Sequence, residues 1–346
     1  MRCSDHAGAK FSIGYLYNYG HGVKVNYNLA LHWYSKAAEQ QHSQAQYKIG
    51  VLYDYGYGVR VDYNIARLWY LKAAEQEHSD AQYSIGVLYG RGDGVDVDHN
   101  EMFSWCLRAA EQGHSDAQFN VGVSYHHGDG ADIDYNLALP WYFKAAVQGN
   151  LDALTNIGSL YEKGNGVPVN YKVARSCFLK AAEKRNSQAQ YNIGILYYEG
   201  HGVDVNHNLA LSWYLKAAKQ GHLYAKEKFA ALYGDITGVE QDYDVALESY
   251  ERSLENGNEP VRVNIDQVNT ETLESQSFPA ENDAETEPEP ELNLKNLEET
   301  LAKPKLEIEK LKGSVNADVP QTIPIPSTGI TKAGLARGKK NKKVPK

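Results

Sequence analysis

The sequence predicts an all-α fold, an α-solenoid of stacked helix pairs, and three observations carry that prediction. Six glycines, Gly14, Gly50, Gly86, Gly122, Gly158 and Gly194, stand 36 residues apart without a slip. Other columns keep the same ruler: tyrosine at Tyr17, Tyr53, Tyr89, Tyr125, Tyr161, Tyr197 and Tyr233, and every tryptophan of the chain at Trp33, Trp69, Trp105, Trp141 and Trp213. Inside each period, apolar residues recur at helical spacing between helix-start and helix-stop signals. One supersecondary unit repeated end to end buries its apolar face only by stacking on the next copy, so gripping other molecules is expected of it rather than chemistry. After a lead of residues 1–6, six clear units run from Ala7 to His222, and a seventh, altered in its residues, from Leu223 to Asn258.

The first helix of each unit, helix A, is expected to open at Ser-x-Ala-Gln, as in Ser43 to Gln46, Ser79 to Gln82, Ser115 to Gln118 and Ser187 to Gln190. That spacing allows two side chains to satisfy free amides at a helix start. Ala45, Ile49, Gly50 and Tyr53 then share one face. A glycine inside a helix costs about 1 kcal/mol, which makes sense where a neighbouring helix must come close. Helix A stops at Gly-x-Gly-Val, as at Gly20 to Val23 and Gly56 to Val59, because glycine accepts the left-handed backbone of a helix end.

The second helix, helix B, is capped by Asn26, Asp62, Asp98, Asp134, Asn170, Asn206 and Asp242, whose short oxygens accept from the first turn. It carries Ala30, Trp33, Tyr34, Ala37 and Ala38 on one stripe, and a glycine such as Gly113, Gly149 or Gly221 closes it. Small alanines beside a large aromatic form a hole and a knob that interdigitate between units, so all five tryptophans are expected in the core. Histidine recurs at His42, His78, His114 and His222, where an imidazole is expected to meet the negative end of helix B.

The combined pattern Ala-x-x-x-x-Gly-x-x-Tyr-x-x-Gly-x-Gly-Val-x-x-Asp/Asn-x-x-x-Ala-x-x-Trp-Tyr-x-x-Ala-Ala resembles the Sel-1-like repeat, a relative of the tetratricopeptide repeat, over Ala7 to Asn258. The resemblance implies antiparallel helix pairs wound into a right-handed superhelix with helix A on the concave side. Departures are local: Cys177 stands for tryptophan, Cys106 for its tyrosine, Met102 for alanine, and Pro140 sits inside a helix B, where it removes a hydrogen bond and is expected to bend the helix.

A 42% hydrophobic composition allows an ample core, spread along neighbour-to-neighbour interfaces. Only Cys3, Cys106 and Cys177 are present, the last two in core columns, which argues for reduced thiols. No apolar leader precedes helix A and no run approaches a membrane span, so a cytosolic setting is expected. The first unit begins without a capping helix, which fits either a shortened array or a partner there. From Glu259 to the end the chain becomes proline-rich, acidic and nearly free of aromatics, the composition of a disordered tail. Within it Leu294 to Leu311 has amphipathic spacing interrupted by Pro304, and Lys339 to Lys343 forms a basic end. A nuclear-import or RNA-brushing role for that end is set against the preferred reading, a solvated charge run.

Several constellations favour a structural reading over chemistry. The Gly-x-Gly-Val loops follow a helix instead of a strand and lack the Gly-Lys-Ser/Thr of a phosphate cradle. Asp96 to Asn100 and Asp132 to Asn136 open like calcium loops but miss the glycine and glutamate that complete one. Histidines one repeat apart cannot converge on zinc, and His126 and His127, adjacent on a helix end, are expected to point two ways. Arg91-Gly92-Asp93 is an outcome of the repeat loop. No nucleophile arrangement has a local signature. No catalytic residue, cofactor, metal or small-molecule substrate is therefore expected, and a net charge of −9 speaks against nucleic acid on the solenoid.

By similarity to tetratricopeptide arrays, the fifth, ninth, twelfth and thirteenth columns face the groove. The fifth gives an aromatic ladder, Phe11, Tyr47, Tyr83, Phe119 and Tyr191, broken by Thr155 and Glu227. The thirteenth varies: Tyr19, Tyr55, Arg91, His127, Lys163 and Glu199. Fixed aromatics beside varied polar groups fit a surface that stacks on a peptide and reads its side chains. The expected function is a non-enzymatic adaptor for a protein or peptide partner. The resemblance spans scaffolds of signalling, protein quality control and cell-wall regulation, with hydrolysis of cell-wall-type substrates as the rival.

Overall fold

A computed structural model describes residues 6–255. Fourteen α-helices make up the regular structure of these residues: α1 (Ala7–Tyr19), α2 (Tyr27–Ala38), α3 (Ser43–Tyr55), α4 (Tyr63–Ala74), α5 (Ser79–Arg91), α6 (His99–Glu111), α7 (Ser115–His127), α8 (Tyr135–Val147), α9 (Leu151–Lys163), α10 (Tyr171–Glu183), α11 (Ser187–Glu199), α12 (His207–Lys219), α13 (Leu223–Thr237) and α14 (Tyr243–Glu255). Odd-numbered helices are helix A of each unit and even-numbered ones helix B. Every helix packs on the next in the chain, giving a repeat solenoid. The acidic proline-containing tail, the Leu294 to Leu311 segment and the basic Lys339 to Lys343 end lie outside the described residues, as does Cys3.

Within a unit the helix A glycine is a seat for a ring from helix B. A Cβ on Gly50 would stand 2.5 Å from the ring of Tyr70, and one on Gly122 would stand 2.6 Å from that of Tyr142. Tyr34, Tyr70, Tyr142 and Tyr214, with Phe178 and Cys106 in the same column, are fully buried. This column, and not tryptophan, is the deepest layer. Trp105, Trp141 and Trp213 retain 6–7% exposure, whereas Trp33 and Trp69 are only half-buried, which corrects the expectation that all five indoles are core. Trp69, Trp105, Trp141 and Trp213 reach back onto the preceding unit, whereas Trp33 has no described unit before it. Trp69 packs with Ala37, Ala38 and Leu52, and Trp105 with Ala73, Ala74 and Leu88. A cation covers the outer ring face, as Lys72 does over Trp69 at 4.2 Å and Lys144 over Trp141 at 3.8 Å. Cys106 and Cys177 are free, buried thiols pushed up to about 12 by desolvation.

The loop between the helices seats units on one another. Gly56, at φ 73°, ends α3 by donating its N–H to the Leu52 carbonyl. Gly58, at φ 70°, would bring a Cβ within 2.5 Å of Tyr27 Cβ in the preceding unit, so the second glycine is needed for both its backbone and its bareness. Helix B caps fall where expected: Asn26 accepts from Leu29 N–H and Asp62 from Ile65 N–H, each at 3.0 Å. Gly113, Gly149 and Gly221 take positive φ at the end of helix B, but Gln41, Glu77 and Arg185 do so in the other units. α8 runs unbroken through the buried Pro140.

The start of helix A departs from expectation. Ser43 is the first helical residue, and the N-cap is His42, whose Nδ1 accepts the Ala45 N–H at 3.3 Å. His78, His114 and His222 cap α5, α7 and α13 in the same way, and Asn150 and Asn186 cap α9 and α11. These histidines therefore serve the positive end of the following helix rather than the negative end of helix B. A protonated ring cannot accept, so the neutral form is the structural one. The serine's glutamine partner is also diverted. Gln46 accepts from Gln76 Nε2 at 2.7 Å, tying the start of α3 to the end of α4 in place of a capping box.

Candidate functional site

The face built from the odd-numbered helices gathers the predicted groove residues. Among these first helices, α7 touches α9 and α9 touches α11 directly. The ladder residues Phe11, Tyr47, Tyr83, Phe119 and Tyr191 are all half-buried. Each has one ring face committed. Phe11 stacks on His42 at 4.9 Å, Tyr47 on His78 at 4.8 Å, Tyr83 on His114 at 4.6 Å and Tyr191 on His222 at 4.7 Å. Phe119, which has Asn150 ahead of it, leans on Tyr142 at 5.9 Å. In α9 the ladder position is the buried Thr155, whose hydroxyl is 3.4 Å from Asn186 Oδ1.

The sequence shows both the ladder and the histidine column, but not that one stacks on the other. The second column completes the arrangement. With Nδ1 occupied by a backbone N–H, the proton of a capping histidine resides on Nε2. His114 Nε2 meets Asp80 Oδ1 at 3.4 Å and His222 Nε2 meets Gln188 Oε1 at 3.0 Å. Asn186 Nδ2 donates to Asp152 Oδ1 at 2.8 Å in the equivalent place. The hydrogen bond from His114 holds the Asp80 carboxyl below its usual range. Burial lowers His42, His78 and His222 from the ordinary imidazole value. Burial also raises the phenol of Tyr47 to about 12, so the ladder stays uncharged at neutral pH.

The twelfth column lies over the buried ring of helix B. Asp54 Oδ2 accepts from the Tyr70 hydroxyl at 2.9 Å, and the Tyr142 hydroxyl is 3.2 Å from His126 Nδ1. Desolvation raises Asp54, an effect its hydrogen bond from Tyr70 opposes. His126 and His127 stack face to face at 4.6 Å, which corrects the expectation that they point apart. The thirteenth column, Tyr19, Tyr55, Arg91, His127, Lys163 and Glu199, is exposed throughout, with Tyr55 at 61%. Lys48 Nζ bridges to the Tyr19 hydroxyl at 3.1 Å. The ladder is thus half-buried and the thirteenth column exposed.

A set of glutamine pairs was not foreseen from the sequence. Gln112 Nε2 donates to Gln82 Oε1 at 2.7 Å, Gln148 to Gln118 at 2.8 Å and Gln220 to Gln190 at 2.6 Å. The signal available was joint replacement: the fifth unit has Leu154 and Lys184 in the two positions. Among the described residues no three His, Cys, Asp or Glu side chains gather as a metal site would require, and no helix is long and apolar enough to cross a membrane.

Comparison with known proteins places this geometry. The sequence profile described as Sel1 repeat matches residues 7–42, 43–78, 79–114, 115–150, 151–186, 187–222 and 229–258. Among solved structures, a protective antigen of uropathogenic Escherichia coli displaying an SLR fold is 34% identical with a TM-score of 0.63, over 74% of this chain and 55% of that one. A Sel1 repeat protein from Oxalobacter formigenes is 33% identical with a TM-score of 0.56, over 62% of this chain and 86% of that one. The match thus spans little more than half the length of the Escherichia coli antigen. No curated protein matches the chain.

Proposed function

The chain belongs to the Sel1 repeat family, and from that premise we propose that it is a non-enzymatic adaptor holding an extended peptide or protein segment along its helix A face. The observation that carries this reading is the contrast between two columns of one face: half-buried aromatic rings, most of them stacked on a histidine, next to exposed side chains that vary along the array. Shared rings supply contact area that tolerates many sequences, and the varied rim supplies discrimination. No observation favours the hydrolytic alternative. A cytoplasmic setting, with the tail recruiting or regulating, completes the proposal.

The test is affinity capture with the full chain, comparing the parent with a Tyr55→Ala, Arg91→Ala and His127→Ala variant and with a Tyr47→Ala, Tyr83→Ala and Phe119→Ala variant. The exposed set should fold as the parent does and lose at least about tenfold in retention of a captured partner, because rim contacts are solvent-free only when bound. The ladder set should lose more, with some loss of stability from the missing ring stacks. Full retention of every captured protein by the exposed-set variant would sink the groove reading.

A further inference from the structure

In two units a twelfth-column acceptor meets a hydroxyl on the buried ring of helix B, Asp54 with Tyr70 and His126 with Tyr142, whereas the Tyr34 and Tyr214 hydroxyls are buried without a partner. In α5 both halves of this pairing are absent together: Gly90 stands over Cys106, and the space is filled by Met102, whose Sδ lies 2.8 Å from where a Cβ would be. α9 differs from all of these. It keeps an acceptor, Glu162, in the twelfth column, where its helix B supplies Phe178, a ring without a hydroxyl. A Cβ on Gly158 would stand 2.5 Å from that ring, as one on Gly50 or Gly122 would from the tyrosine rings, so the ring keeps its seat and only the hydroxyl is gone.

Glu162 is half-buried and makes neither a hydrogen bond nor an ion pair with any described residue. The charged groups around it are Lys163, His201 and Glu199. Lys163 is the adjacent residue on the same helix and is exposed, and its charge acts against the effect of burial on Glu162. His201 has Nε2 3.4 Å from Glu199 Oε2 and its ring stacked on Tyr171 at 4.9 Å, while its Nδ1 is buried without a hydrogen-bond partner. Burial raises the Glu162 carboxyl above its usual range, as a carboxylate short of partners requires. The neighbourhood is also a gap in the ladder, since Thr155 and Ser159 replace the bulkier fifth- and ninth-column residues of the flanking units.

We infer that Glu162 is a subsite for a cationic side chain, a lysine or arginine of the bound segment, entering the groove where the ladder is interrupted. The inference rests on the adaptor reading and names the chemistry of one position in the partner. A charged donor is favoured over a neutral one because a hydrogen bond between ions in a half-dry site is about twice as strong as a neutral one. Glu199, on the rim of the next unit, adds a second negative charge to the approach.

The experiment follows the side-chain carboxyl resonance of Glu162 in the full chain while acetyl-Gly-Arg-Gly-amide, or its citrulline counterpart, is titrated in. The arginine peptide should shift the resonance and lower the carboxyl's titration midpoint, and the citrulline peptide should do neither. Glu162→Gln should weaken arginine-peptide binding about tenfold. Phe178→Tyr supplies the missing hydroxyl from within and should weaken it at least about threefold while leaving thermal stability equal or higher, which separates occupancy of the site from damage to the fold. An equal response to citrulline, an unmoved Glu162 resonance, or unchanged binding in Glu162→Gln would each overturn the inference. Capture lost in the rim variant yet kept in Glu162→Gln would leave the groove reading standing and this inference refuted.

Discussion

A histidine that caps a helix through Nδ1 works only when neutral, and this chain uses that device repeatedly. For His42, His78 and His222 the folded-state value lies below the unfolded value near 6.5. In the interval between the two, the unfolded chain binds more protons, so this part of the stability is whole above about pH 6.5 and is lost as pH falls through that interval. Denaturant midpoints at about pH 7.5 and about pH 5 should therefore differ, with the lower value at acid pH. A His42→Asn, His78→Asn and His222→Asn variant, which copies the natural caps Asn150 and Asn186, should flatten the dependence. Identical midpoints for the parent at both pH values would refute the account. At the glycine ruler, Gly122→Ala pushes a methyl into the Tyr142 ring, and the overpacking should cost about 1–3 kcal/mol, read as a lowered melting temperature. The glycine seat was legible because strict spacing without polarity leaves close approach as the economical reading. The histidine's duty was not, because its column lies between helix B and the next helix A, and spacing alone does not say which one it serves.

Four helix pairs are closed by contacts that the sequence disguises as surface residues. The Gln82 and Gln112 amides bind each other, and Gln82→Leu removes the bonds of the buried Gln82 amide to both Gln112 and Glu77. The single change is expected to cost about 1–3 kcal/mol. Adding Gln112→Lys reproduces the natural Leu154 and Lys184 pair of the fifth unit and should recover much of the loss. Urea unfolding of the two single variants and the double closes the cycle, and strictly additive costs would show that the amides do not communicate. The caps of helix B, the Gly-x-Gly stops and the paired alanines could be read from sequence because each acts within a few residues. The glutamine pairs span 30 residues and were hidden for that reason, as was the ladder's stacking on the capping histidines. Asn26 and Asp62 fitted the local rule, and Ser43 did not, because a better-placed acceptor stands one residue earlier.

Along the whole array, cohesion is a chain of seams between neighbours. Trp105 is the indole that joins its unit to α4, so Trp105→Ala should cost about 3–5 kcal/mol at that seam. Because such arrays are held together by nearest-neighbour terms, the cost should appear as separate unfolding of the two flanking blocks. Amide exchange mapped by mass spectrometry should show protection lost first around α4 to α6. Trp33 is half-buried, and Trp33→Ala should cost less; equal effects of the two substitutions would contradict the seam assignment. The solenoid was legible at this scale because periodicity is a property of the entire sequence. A constant 36-residue gauge has an evolutionary consequence. In-register recombination between repeats of the coding sequence would add or delete one complete rung and leave every surviving junction of a familiar kind. The reach of the molecule can thus be lengthened or shortened in whole steps, provided the fifth rung, with its matched set of substitutions, is inherited as a block.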